Sequence, residues 1–296
     1  MRKLYNAVCK VPILGRVLLV FYRFFCALKQ FTGPFGRLIR WLFTSRETTN
    51  YTFQLEKGNQ EYLEFLISDI LNIPLQEVQK YTKELEDDED LRRHIETQTA
   101  LSPWAHLADR EVRYSRRVGW YAFMRALKPK VVIETGVDKG LGACVLAAAL
   151  LRNAAEGHPG QYFGTDINPK AGYLLSGRYA EVGRVLYGDS IESLQAFQEP
   201  IDLFINDSDH SADYEAREYE TVFPKLSPNA VLLGDNSHST DKLMQFSLAH
   251  NRHFSLFLEK PKDHWYQGAG IGISFRKEAL SLKAAVLAEE KTKSLA

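Results

Sequence analysis

Seven polar residues, Glu134, Asp166, Asp189, Asp207, Asp209, Asp235 and Asn236, follow short apolar runs across the second half of the chain. Carboxylates and amides in such positions accept hydrogen bonds from sugar hydroxyls, hold cations and take protons. The first of them lies in the stretch VVIETGVDKGLG, residues 131–142, where a β-branched run ends in Glu134 and the glycines Gly136 and Gly140 punctuate a turn. An alanine-rich segment, residues 143–151, follows. Glycines at such a turn let a ligand approach the backbone, and the free N–H groups that open the next helix favour negative charge. The pattern points to a nucleotide-type ligand above a first strand, with an ordinary glycine-containing turn as the plainer alternative.

These side chains share one site only if the runs that carry them are strands of one sheet. The sequence predicts strands at 161–165, 184–187, 201–205, 230–233, 253–258 and 271–275 after the opening one, with helices ending near 197 and spanning 213–223 and 239–250. Strand and helix alternating at this spacing predict a parallel α/β sheet covered on both faces, with an antiparallel last strand as an option. Ligands of such sheets lie beyond the carboxyl ends of the strands, where the strand order reverses, and all seven polar residues fall on that rim. Asp166, at the tip of the second strand, is placed to accept from two ribose hydroxyls.

Over residues 110–276 the sequence resembles class I S-adenosylmethionine-dependent methyltransferases, and among them the small-molecule O-methyltransferases that use a divalent metal. Glu134-Thr-Gly136-Val-Asp138-Lys-Gly140 matches the acidic-glycine fingerprint of that family, Asp166 its ribose acid, and Asp189 after Gly188 the residue beside the adenine. A nicotinamide enzyme is disfavoured, because its G-x-G-x-x-G fingerprint is absent from a turn whose glycines are Gly136, Gly140 and Gly142. The resemblance implies an α/β, Rossmann-like sheet of about seven mostly parallel strands. It also implies S-adenosyl-L-methionine held by Glu134, Gly136, Gly140, Asp166 and Asp189, with Asp207 at its edge.

The motif Asp207-Ser208-Asp209-His210 and the pair Asp235-Asn236 resemble the metal-binding residues of the metal-dependent branch. They imply Mg2+ (or Ca2+) on Asp207, Asp235 and Asn236, orienting an acceptor hydroxyl for methylation. Asn206 departs from the pattern and leaves the register between Asp207 and Asp209 open. Asp209 or His210 is the candidate proton acceptor, His238 a further one, and His264 and Trp265 candidates for a substrate wall. Helix capping is the plain alternative for Asp207, Asp235 and Asn236. Two rival functions remain: a metal-free methyltransferase acting on a nitrogen or a carboxyl oxygen, and a membrane-peripheral scaffold that keeps the fold without turnover.

The formal net charge of zero hides an asymmetry. Residues 1–50 carry nine Lys or Arg and the single acid Glu47, which leaves 28 bases against 36 acids for the other 246 residues. A body of that charge disfavours nucleic acid as partner. Cys9, Cys26 and Cys144 lack metal-ligand spacing, so a reducing compartment and a cytoplasmic location are expected. Lys10, Arg16, Arg23 and Lys29 interrupt the apolar N-terminus, which excludes a cleaved signal and a membrane span from the expectation.

Three regions follow: a basic amphipathic helical segment at 1–50, a helical lid or dimerisation region at 51–105, and the S-adenosylmethionine-binding catalytic domain at 106–296. In the first, helices at 4–31, divided near Pro12 and Gly15, and at 35–43 are expected to break at Gly33-Pro34. Further helices are expected at 59–70, 75–84 and 110–127, with the charge run 84–90 as a solvated helix end or linker. Arg113, Arg116 and Arg117 are expected to border the cofactor site. The basic, aromatic-rich helices suit peripheral membrane contact through residues 1–45, a homo-oligomer (dimer) interface, or a lid for a small hydrophobic acceptor of natural-product type.

Overall fold

A computed structural model describes residues 14–49 and 52–294. Cys9, Pro12 and the expected helix start near residue 4 lie outside the described residues. The chain divides into two compact units, one of residues 1–46 with 263–267 and one of residues 47–262 with 268–296. Residues 51–105, expected as a region of their own, thus belong to the same unit as the sheet.

In the first unit a single helix runs Leu14–Thr44 with Pro34 inside it, so the expected break at Gly33-Pro34 does not occur. Proline removes one backbone donor, while the turns on either side keep theirs. The second half of the helix is held by residues 263–267: Arg37 Nε donates to the His264 carbonyl at 2.8 Å, and Trp41 meets Trp265 edge to face with ring centres 5.3 Å apart.

In the second unit seven strands form one sheet in the order β3-β2-β1-β4-β5-β7-β6. They are β1 (Val131–Thr135), β2 (Gln161–Asp166), β3 (Gly183–Tyr187), β4 (Ile201–Asn206), β5 (Leu226–Gly234), β6 (His253–Leu258) and β7 (Gly270–Phe275). The pairs from β3 through β5 are parallel, and β7 runs antiparallel to both β5 and β6. The fold is therefore the Rossmann-like α/β sheet that the alternation predicts, with one reversed strand. The order reverses between β1 and β4, which places the rim site above Thr135 and Asn206. Beneath it Ile133, Phe163, Phe204, Tyr219, Leu232 and Phe246 belong to one buried apolar cluster.

Helices Lys57–Leu71 and Leu75–Glu86 pack against helix Arg117–Leu127. The charge run 84–90 is the expected helix end, with Glu86, Asp87, Glu89 and Asp90 exposed. Glu84 is drawn into the interior, while Asp88 caps a helix, Glu89–Leu101, by accepting the Leu91 N–H. Glu84 accepts from Arg125 at 2.7 Å and from the Tyr121 hydroxyl at 2.6 Å, and the same guanidinium reaches Asn153 on helix Leu141–Ala155 and Glu156 just after it. Arg125, 2% exposed, thus ties three helices together by charge-assisted bonds.

Truncating one partner of a buried ion pair leaves the other uncompensated, at about 3–5 kcal/mol. Arg125→Ala is expected to lower the unfolding free energy by roughly 3 kcal/mol in denaturant titration. A loss below about 1 kcal/mol, the level of an exposed pair, would contradict this role.

Candidate active site

The glycine turn after β1 brings the two halves of the rim together. Gly136 has φ +84°, and a Cβ built on it would lie 1.9 Å from the Asp207 carbonyl oxygen at the end of β4. The Asp207 N–H donates to the Thr135 carbonyl at 2.9 Å, so the β4 end is stitched to the turn. Gly140, φ +93°, opens helix Leu141–Ala155, and a Cβ there would crowd the Gly172 backbone. Only glycine adopts both conformations at these separations without strain.

Asp166 closes the turn from β2. Its Oδ2 accepts the N–H groups of Val137 at 3.1 Å and Asp138 at 2.9 Å, and its Oδ1 accepts that of Asn168 at 2.8 Å. A carboxylate oxygen has room for further donors, so Asp166 both shapes the turn and can receive ribose hydroxyls. The next residue, Ile167, is 82% exposed, which sets a large apolar side chain beside that acid. On the third strand end Asp189 caps helix Ser190–Ala196 through the Glu192 N–H and accepts the Tyr214 hydroxyl at 2.9 Å.

Glu134 is buried beside the glycine turn. It is 2% exposed, the Tyr162 hydroxyl donates to it, and a Cβ on Gly142 would lie 2.4 Å from its Oε1. Burial raises its pKa to about 7, against the lowering effect of the Tyr162 bond and of Arg117. It thus packs between Tyr162 and the start of helix Leu141–Ala155.

On the acceptor side of the rim, Arg116 occupies the space between the acids that were expected to hold a metal. Its Nε pairs with Asp235, its Nη2 lies 3.9 Å from Asp207, and its Nη1 lies 3.7 Å from Glu259 just after β6. The Arg116 backbone N–H also donates to Glu259, and the guanidinium carbon lies 5.9 Å from the centre of the Trp120 ring. This placement follows from Ser115, which takes a left-handed φ of +48°, so that the helix expected from residue 110 starts only at Arg117. Burial and the adjacent Asp235 hold the Asp207 carboxyl well above the usual range, and Arg116 offsets part of that rise.

Among the described residues no group of three His, Cys, Asp or Glu side chains is arranged to hold a metal ion. Asn236, the expected third ligand, donates its amide to the His210 carbonyl at 3.0 Å. With a fixed cation already between Asp207 and Asp235, this arrangement does not fit a resident divalent ion. The expected proton acceptors Asp209, His210 and His238 stand on the exposed rim, and Asp209 accepts the Ser211 N–H ahead of helix Ala212–Val222. The acids brought together in a buried setting are Asp207, Asp235 and Glu259.

One supporting residue escaped the sequence reading. Glu218, fully buried on helix Ala212–Val222, accepts from Thr135 at 3.2 Å, Ser208 at 2.8 Å, Asn206 and Ser190. It thereby joins the ends of β1 and β4 to the start of helix Ser190–Ala196. Its signal was present as one acid on an otherwise inward-facing helical position. Burial raises its pKa to about 7.

A carboxyl whose folded pKa lies above its unfolded value stabilises the protein below the unfolded pKa and loses that stability as pH rises through the folded one. For Glu134 and Glu218 the window runs from the ordinary value of 4.5 to about 7. Stability is therefore expected to fall with rising pH across it. Glu218→Gln can keep the hydrogen bonds and should remove its share, roughly 3 kcal/mol, of the difference between acidic and neutral solution in urea unfolding. An unaltered pH slope in that variant would contradict the assignment.

Residues 133–237 match a family described as a methyltransferase domain. No protein of curated function matches the chain. Among solved structures the chain is similar to an O-methyltransferase from Bacillus cereus in complex with SAH, at 14% identity and a TM-score of 0.45, covering 67% of this chain and 100% of that one. It is also similar to the O-methyltransferase TomG from Streptomyces achromogenes, involved in tomaymycin synthesis, at 14% identity and a TM-score of 0.46, covering 64% and 91%. A third is the SAH-bound methyltransferase PaMTH1 from Podospora anserina, at 16% identity and a TM-score of 0.45, covering 67% and 94%. The methyltransferase-domain match falls on the strands that carry the glycine turn and the rim acids of this sheet.

Proposed function

We propose that the enzyme methylates a hydroxyl of a small acceptor without a resident metal, using Asp207 and Asp235 as a carboxyl pair whose charge is balanced by Arg116. The observation that carries this reading is the Arg116 guanidinium lying among Asp207, Asp235 and Glu259, next to the glycine turn. A body with more acids than bases supports a small acceptor over nucleic acid.

When bound, S-adenosylmethionine supplies an electrophilic methyl group on a sulfonium. Asp166, the glycine turn and the apolar face of Ile167 would hold it. Asp207 and Asp235 lie at neighbouring strand ends, and burial beside Asp235 raises the pKa of the Asp207 carboxyl. A carboxylate of this pair would accept a hydrogen bond from the acceptor's hydroxyl and take its proton. Arg116 keeps the carboxylate oriented and prevents three buried acids from repelling one another.

The test is turnover of the full chain on a panel of small hydroxylated acceptors, with and without a strong divalent chelator. Turnover is expected to survive chelation, and Asp235→Asn to lower kcat by about 10²–10⁴ while calorimetry finds S-adenosylhomocysteine affinity unchanged. Activity that vanishes on chelation and returns with magnesium would replace Arg116 by a metal in this account.

A further inference from the structure

From the Leu14–Thr44 helix we infer a second working surface: this helix lies on anionic phospholipid, in the plane of the membrane interface. The inference stands apart from the methyl-transfer reading and holds for any acceptor.

Large apolar side chains on the helix remain uncovered, among them Val20 at 61%, Phe24 at 58%, Phe31 at 64%, Phe35 at 62% and Phe43 at 85% exposure. At 100° per residue these fall on one broad face with Val17, Phe21 and Leu28. Arg16, Arg23, Lys29, Arg37 and Arg40 fall on the other side, and residues 14–44 contain no acid. Soluble monomers rarely leave an apolar stripe of this length open to water.

Charge decides between a membrane and a second copy of the chain. Paired helices are stabilised by opposite charges flanking the apolar seam. Two copies of this helix bring only positive charges together, and they do so in either orientation. The face is also wider than a two-residue-per-heptad seam, and it is rich in phenylalanine. Anionic lipid supplies the missing countercharge, the rings enter the acyl boundary, and the long basic side chains reach up to the headgroups. No helix of the described residues is long and apolar enough to cross a membrane, which agrees with a helix lying along the surface.

Co-sedimentation of the full chain with vesicles tests this. Binding is expected to phosphatidylcholine vesicles containing phosphatidylglycerol, with much weaker binding to phosphatidylcholine alone and release by high salt. Each base replaced by glutamine, as in Arg23→Gln or Lys29→Gln, should weaken partitioning by roughly fivefold. Phe24→Glu combined with Phe31→Glu should abolish it, while the thermal unfolding transition matches the parent. Failure of the unaltered chain to sediment with phosphatidylglycerol vesicles would overturn the inference. So would light scattering that finds, without lipid, a dimer dissociated by the double phenylalanine substitution.

Discussion

A buried guanidinium needs countercharge, and neighbouring buried carboxyls need a cation. Arg116, Asp207, Asp235 and Glu259 meet both requirements at once. The four residues come from the segment before a helix, from the loops after β4 and β5, and from the residue after β6. Arg116 therefore pins four separate chain segments to one point on the rim. Desolvation makes any three of them costly without the fourth, so the geometry of the acceptor side is set by electrostatics as much as by packing.

The cofactor side depends on that point through backbone contacts. Gly136 brings the turn against the Asp207 carbonyl, and Asp207 in turn faces Arg116. Below them Glu218 gathers hydroxyl and amide donors from β1, β4 and a neighbouring helix, and Glu134 packs beside the turn. Two buried carboxyls with raised pKa values thus lie beside the rim. They are scaffolding that trades stability near neutral pH for fixed strand ends.

The strands, their order of appearance and the rim acids were legible in the sequence because each rests on a local pattern: an apolar run, a glycine turn, then a polar residue. Asp166 was read from its position alone, and the structure puts it at the β2 tip against the turn. Arg116 was expected only to border the site. Its place between the acids depends on the left-handed Ser115 and on carboxyls about 90 to 140 residues away, which no local window reports. The burial of Glu134 was not visible either, because an acid beside a glycine turn has no depth in a sequence. Pro34 was taken as a break, yet contacts from residues 263–267 hold the helix beyond it.

The central claim is that a protein cation stands where a divalent ion was expected. A crystal structure of the protein with S-adenosylhomocysteine, grown with manganese and measured for anomalous scattering, tests it most directly. The account predicts the Arg116 guanidinium between Asp207 and Asp235, with no manganese peak at that point. A manganese peak bound by Asp207 and Asp235, with Arg116 displaced, would contradict it.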